Sequence, residues 1–275
     1  LDTPSSKGNP PLVLVNGLAG AILKGKWTDV HEPHFWCSKT SKGYETLWLN
    51  LEQVVPFQKD CLMNRLVLHY DHTTGAYSNT SGVDVDSNVD WGGVGGLAYL
   101  DPSLGPAKKA TSYFADLIDA LIGVGYHVGK NLRGAPYDWR LASDGHAVPF
   151  QYYDKLRALI EDTVAANGGA RVWLVAHSLG CPTTSAFLRR QTSDWLTDNV
   201  AGFVALAGVW GGAAKMALAL VSGDNMGAPV PHDYVRPVQR SAASGVWMLP
   251  GREFSAPGAA PVIITPSQSF SSSAS

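Results

Sequence analysis

The stretch RVWLVAHSLGCPTTSAFLRRQ, residues 171–191, decides the fold. Its front, residues 171–176, is a short apolar run and reads as a buried strand. Its back, residues 181–191, reads as a helix. Ser178 stands at the junction, with Ala176 two residues before it and Gly180 two after. Small residues at those places let a chain turn sharply enough to lift a serine hydroxyl clear of a sheet. This is the small-x-Ser-x-Gly nucleophile elbow of α/β hydrolases. In that geometry the Leu179 amide faces a developing oxyanion, aided by the positive end of the helix that follows. A plain strand-to-helix loop is the competing reading, and the five-residue pattern alone does not separate the two. His177, next to Ser178 in so tight a turn, points elsewhere and is read as a packing group rather than a base.

The rest of the chain supplies the context. Residues 11–15, PLVLV, form an apolar run ended by Asn16-Gly17, which predicts a buried parallel strand. The loop VNGLAG, residues 15–20, follows an early strand, where a second oxyanion donor is usually found, and the Leu18 amide is the candidate. A plain turn is the alternative there. Residues 112–122 place Phe114, Leu117, Ile118, Leu121 and Ile122 at helical spacing, and residues 150–166 do the same with Leu156, Leu159, Ile160 and Val164. Residues 126–132 and 200–207 are expected as further strands. Strands alternating with helices predict an α/β fold with a parallel sheet covered on both faces. Residues 26–64, rich in Trp, His and Cys, read as an irregular excursion from that core.

Composition narrows the function classes. The chain has 275 residues, 45% hydrophobic and 16% charged, enough to bury a large core without staples. A net charge of −2 without a basic block leaves no electrostatic footprint for nucleic acid. Residues 200–221 have the length of a membrane span, but Lys215 and Gly211-Gly212 break it into a strand, a glycine loop and a short helix. Cys37, Cys61 and Cys181 are odd in number and have no metal-ligand spacing. The acidic run 84–90, DVDSNVD, lacks the spaced Gly and terminal Glu of a calcium loop and reads as solvated. No metal or cofactor is expected. The sequon Asn79-Thr80-Ser81 hints at a secretory route. The chain starts at Leu1 and shows no signal peptide, so either processing removed one or the sequence starts inside a gene.

Several stretches together resemble the lecithin:cholesterol acyltransferase and lysosomal phospholipase A2 family. They are PLVLVNGLAG, FWCSKTSKGYETLWLNLE, DCLMNRLVLHYD, LRGAPYDWRLA, WLVAHSLGC, GVWGGAAK, LVSGDNMGAPV and VWMLPG, in the family's order and over nearly the whole chain. The resemblance implies an α/β-hydrolase fold with a parallel-rich sheet and cap and lid insertions. It implies one domain over residues 1–265, with a cap segment about 26–64 and a lid about 223–246 over the acyl groove; the tail PSQSFSSSAS, residues 266–275, is low-complexity and reads as disordered. It implies a Cys37–Cys61 disulfide closing a small lid, and a free Cys181 beside the nucleophile. Trp36, Trp48 and Leu49 would face lipid, with a small hydrophobic subcore as the alternative, and APYDWR, residues 135–140, would be a structural corner. The implied activity is that of a lipid O-acyltransferase or phospholipase A. An acyl group of a glycerophospholipid would pass to Ser178, with Leu18 and Leu179 amides on the oxyanion, and then to an alcohol or water. Peripheral contact with a membrane or lipoprotein surface, and a secreted or lysosomal (or vacuolar) location, go with that activity. Two departures stand out: Asn16 where the family often has Pro, and Leu18 where it has an acidic or aromatic residue. The loop 86–96 is also more glycine-rich than usual.

A serine hydrolase of this class needs an Asp and then a His after the serine. After Ser178 come Asp194, Asp198, Asp224, Asp233 and Glu253, but the only histidine is His232, inside the lid-like segment. It is not read as the base. In the family the triad Asp and His match positions beyond residue 275. The expectation is therefore an N-terminal two-thirds of the enzyme, lacking the last strands and leaving a sheet edge unpaired. Such a chain would be poorly stable at that edge and, without its base, slower by roughly 10⁴–10⁶. The alternative is a non-catalytic lipid-binding relative or a decayed gene product. The retained Ser178 and Gly180 argue against it, because a binder needs neither.

Overall fold

A computed structural model describes residues 8–55, 57–147, 150–227 and 231–251, with the backbone of 263–264 and 269–270. The described chain forms two compact units. One comprises residues 1–23, 87–138 and 150–208, the other residues 24–86, 139–149 and 209–275.

The first unit is built on a four-stranded parallel sheet. Its strands are β1 (Leu12–Val15), β2 (Leu132–Gly134), β3 (Val172–His177) and β4 (Val200–Leu206), in spatial order β2-β1-β3-β4. β1 pairs with both β2 and β3, with Leu14 opposite Gly134 and Val175. Every residue of β1 is buried, as expected of a central strand covered on both faces. β3 pairs with β4, with Ala176 opposite Ala205.

The longer α-helices of this unit are α1 (Ala115–Gly123), α2 (Tyr152–Ala166), α3 (Gly180–Leu188) and α4 (Ser193–Asn199). α2 buries Tyr152, Tyr153, Leu156, Leu159, Ile160 and Thr163, a stripe at helical spacing. Leu156, Leu159 and Ile160 are essentially inaccessible, and each such side chain contributes roughly 1.5–3 kcal/mol of burial. Glu161 of α2 accepts a 2.6 Å hydrogen bond from the Trp195 indole of α4. Thr192 caps α4 by accepting from the Trp195 amide. A parallel sheet with this strand–turn–helix at its centre is the α/β-hydrolase core.

Two expectations shift. Residues 126–132 are mostly not a strand: the amides of Lys130, Asn131 and Leu132 all bond to the His127 carbonyl, making a turn, and pairing begins at Leu132. In α1 the expected apolar stripe is only partly used, because Ile118 is buried while Ile122 is 46% exposed.

In the second unit, residues 26–64 are more regular than expected. Strands Leu23–Trp27, Glu45–Trp48 and Val83–Asp86 form a small sheet, with the first and last antiparallel, and Lys59–Leu66 is a helix. That helix buries Cys61, Leu62, Met63 and Leu66. Arg65 pairs with Glu32 at 2.7 Å, both side chains almost fully buried, and its guanidinium lies 4.0 Å from the Trp27 ring centroid. Leu68–Asp71 and Ala76–Asn79 make a hairpin.

The membrane-like stretch 200–221 separates into β4, a loop, and the helix Ala214–Ser222. No helix among the described residues is long and apolar enough to cross a membrane. Of the lid-like segment, His232–Ser241 is helical and residues 228–230 lie outside the described residues. Of the tail, only the backbone of Ser269–Phe270 is described, paired antiparallel with Ile263–Ile264.

Candidate active site

β3 ends at His177, and α3 begins three residues later at Gly180. Between them Ser178 has φ 53°, a left-handed conformation that costs a non-glycine residue roughly 1–2 kcal/mol. The strain is held in place from both sides. The Ser178 amide donates to the Leu206 carbonyl of β4 at 2.9 Å, and its own carbonyl accepts from the Cys181 amide at 3.0 Å. Ala176 is fully buried.

The elbow is pressed against the loop after β1. A Cβ on Gly180 would lie 2.3 Å from the Asn16 carbonyl oxygen, and one on Gly17 would lie 2.8 Å from the Ser178 Cβ. Neither position has room for a side chain, so both glycines are demanded by the approach of these two loops. Asn16 is fully buried: its side-chain amide donates to the Gly17 carbonyl at 3.0 Å, and its Oδ1 accepts from the Tyr137 amide at 3.2 Å. A proline at that position would lack both contacts. Leu18 follows Gly17 on this loop, and Leu179 follows Ser178, fully buried at the start of α3. Among the described residues, neither their backbone amides nor the Ser178 hydroxyl takes part in a hydrogen bond.

The His177 ring is engaged by Tyr113. Its Nδ1 lies 2.6 Å from the hydroxyl of Tyr113, which also accepts from the Gly17 amide at 2.8 Å. Burial lowers the His177 pKa, keeping the ring neutral, and burial raises that of the Tyr113 phenol. Tyr113 carries no recognisable sequence signal, sitting just before α1 and 64 residues from His177. The Cys181 thiol is free and buried, donates towards the Ala176 carbonyl at 3.2 Å, and is pushed up to about 11 by desolvation. It is a packed, protonated thiol.

In the second unit Cys37 and Cys61 form a disulfide, with Cα atoms 5.6 Å apart. Glu32 lies close to both sulfurs but belongs to the Arg65 ion pair. Around the bridge, Trp36 is 44% exposed, stacks on His34, and donates its indole hydrogen to the Phe57 carbonyl. Phe35 and Phe57 are still more exposed, at 94% and 75%. Trp48 packs edge-on against Trp139 at 5.2 Å, and Trp48 and Leu49 are half-buried. The most exposed aromatics are therefore two that the sequence reading did not single out.

His232 is in this second unit, where its Nδ1 accepts from the Asn225 amide. Asp224 is buried, accepts from the Met226 amide, and pairs with Lys215 at 3.3 Å. The APYDWR segment is structural. Tyr137 is fully buried in the first unit. In the second, the buried Arg140 donates to the Leu66 carbonyl and to Asn79 Oδ1. The acidic run is dispersed: Asp84 accepts from the Tyr44 hydroxyl, and Asp90 caps the Gly95 amide.

The lysosomal phospholipase A and acyltransferase of Canis lupus familiaris is 41% identical over 242 residues, 88% of this chain and 57% of the relative. The phosphatidylcholine-sterol acyltransferase of Homo sapiens is 34% identical over 243 residues, 88% of this chain and 53% of the relative. The chain thus spans a little over half the length of these curated relatives. Among solved structures, a chain of the Tle4-Tli4 complex superimposes with a TM-score of 0.49 at 13% identity, covering 90% of this chain and 56% of that one. The model of the lecithin:cholesterol acyltransferase family matches residues 44–273, and the chain belongs to that family.

Proposed function

We propose that this protein transfers acyl groups from glycerophospholipid esters through an acyl-serine at Ser178, as a lipid O-acyltransferase or phospholipase A. One observation carries the reading: the left-handed Ser178 between β3 and α3, clamped against the glycine loop after β1. A strained serine is retained where its hydroxyl must stand free of the sheet.

In this mechanism Ser178 Oγ attacks the ester carbonyl. Negative charge gathers on the carbonyl oxygen, where the amides of Leu18 and Leu179 receive it. The lysophospholipid leaves as an alcohol, taking a proton, and the acyl group stays on the serine. An alcohol or water then attacks the acyl-serine and regenerates it. Which acceptor reaches the acyl-enzyme decides between transferase and hydrolase. The base that takes the serine proton, and the carboxylate that orients it, are not among the described residues around Ser178. Without them the serine would react more slowly by roughly 10⁴–10⁶.

The exposed aromatics beside the Cys37–Cys61 bridge suit contact with a lipid surface, and Trp36, Trp48 and Leu49 would face lipid with them. Such an enzyme works in a secreted or lysosomal setting. The test is the protein from the complete gene on phosphatidylcholine vesicles containing a long-chain alcohol, with products separated by mass spectrometry. Free fatty acid or acylated alcohol, lost in Ser178→Ala, supports the reading. Vesicle binding without either product points to a lipid-binding relative.

A further inference from the structure

Tyr113 touches both halves of the candidate site. Its hydroxyl accepts from the Gly17 amide at 2.8 Å and contacts His177 Nδ1 at 2.6 Å. Its ring lies against the loop after β1: a Cβ on Gly20 would come within 2.3–2.7 Å of Tyr113 ring and hydroxyl atoms. The ring also meets His177 with centroids 5.5 Å apart, and Phe114 backs both. Gly17 and Gly20 bracket Leu18, and His177 is joined directly to Ser178. The tyrosine therefore ties the loop that carries one candidate oxyanion donor to the strand end that carries the nucleophile.

The hydrogen bonding is directional. Having accepted from Gly17, the phenol has its own hydrogen left to give, and the unprotonated Nδ1 of a neutral imidazole receives it. The chain Gly17 N–H to Tyr113 O–H to His177 Nδ1 then runs one way, with the ring proton on Nε2. No water is needed to complete it.

We infer that Tyr113 is a positioning residue for the acyl-transfer site, holding the Leu18 amide in register with Ser178 by bridging Gly17 and His177. The inference rests on the acyl-serine reading above. It acts on the oxyanion and not on substrate binding, because the hydroxyl is committed to Gly17 and His177. Removing an oxyanion donor outright costs roughly 10²–10³ in rate, so loosening one should cost less, about 10- to 100-fold.

The test is Tyr113→Phe in the protein from the complete gene, with Ser178→Ala as control. Phenylalanine keeps the ring that packs on Gly20 and loses only the hydroxyl. Two quantities are read: the rate constant and the final extent of fluorophosphonate labelling, and kcat and KM for p-nitrophenyl butyrate. The expected result is a 10- to 100-fold fall in labelling rate and in kcat, with full labelling extent and KM within about twofold. Wild-type rates in Tyr113→Phe would overturn the inference. So would a fall in labelling extent with an unchanged rate constant, which marks loss of folded protein instead of loss of positioning. Wild-type protein showing no Ser178-dependent labelling would overturn the acyl-serine reading, and this inference with it.

Discussion

The Gly180 Cα faces the Asn16 carbonyl so closely that a Cβ there would sit 2.3 Å from the oxygen. This contact welds the start of α3 to the loop after β1, and backbone meets backbone on both sides. Gly180→Ala must therefore push two strand ends apart. We expect it to lower stability by about 1–3 kcal/mol, the usual cost of overpacking. Urea unfolding would show a lower midpoint with an unchanged slope, and a midpoint equal to wild type would remove the clamp from the account.

The Cys37–Cys61 bridge spans 24 residues. Loop-closure entropy gives it about 3–4 kcal/mol of stabilisation. The Cys37→Ala/Cys61→Ala pair should lose that much in the second unit, while Ser178 in the first keeps its environment. Limited proteolysis should then cut within residues 30–60 first. Resistance there equal to the wild type would show that the buried Glu32–Arg65 pair and the helix Lys59–Leu66 hold the segment without the bridge.

His177 should make stability depend on pH. Burial depresses its folded pKa below the ordinary 6.5, so the unfolded chain takes up the proton first. Its contribution is fully present above about pH 6.5 and is lost as pH falls from there through the folded value. Protonation would also put a hydrogen on Nδ1, where the Tyr113 hydroxyl donates. His177→Gln should flatten the stability profile below pH 6.5 relative to wild type. Parallel profiles for the two proteins would mean that His177 does not titrate in this window.

The central sheet was legible because burial leaves a simple imprint. LVLV and VWLVA are continuous apolar runs, and Ala176-His177-Ser178-Leu179-Gly180 carries small residues where the backbone is crowded. The short strand Leu23–Trp27 was not legible. Its sequence LKGKW does alternate, but its middle inward position is Gly25, kept small because the Leu47 side chain fills the space. The strand expected at 126–132 moved because His127 to Leu132 close a turn, with Gly129 at φ 79°. Tyr113 was hidden for another reason. It looks like one more aromatic beside a helix, and its significance comes from partners 64 and 96 residues away, which no local pattern encodes.

The central claim is that Ser178 is the nucleophile, and the most direct measurement is to find where a fluorophosphonate bonds. The protein from the complete gene would be labelled, digested and sequenced by mass spectrometry. A single adduct on the Ser178 peptide, absent in Ser178→Ala, is the predicted result. An adduct on another serine, or a folded complete protein that stays unlabelled, would contradict it.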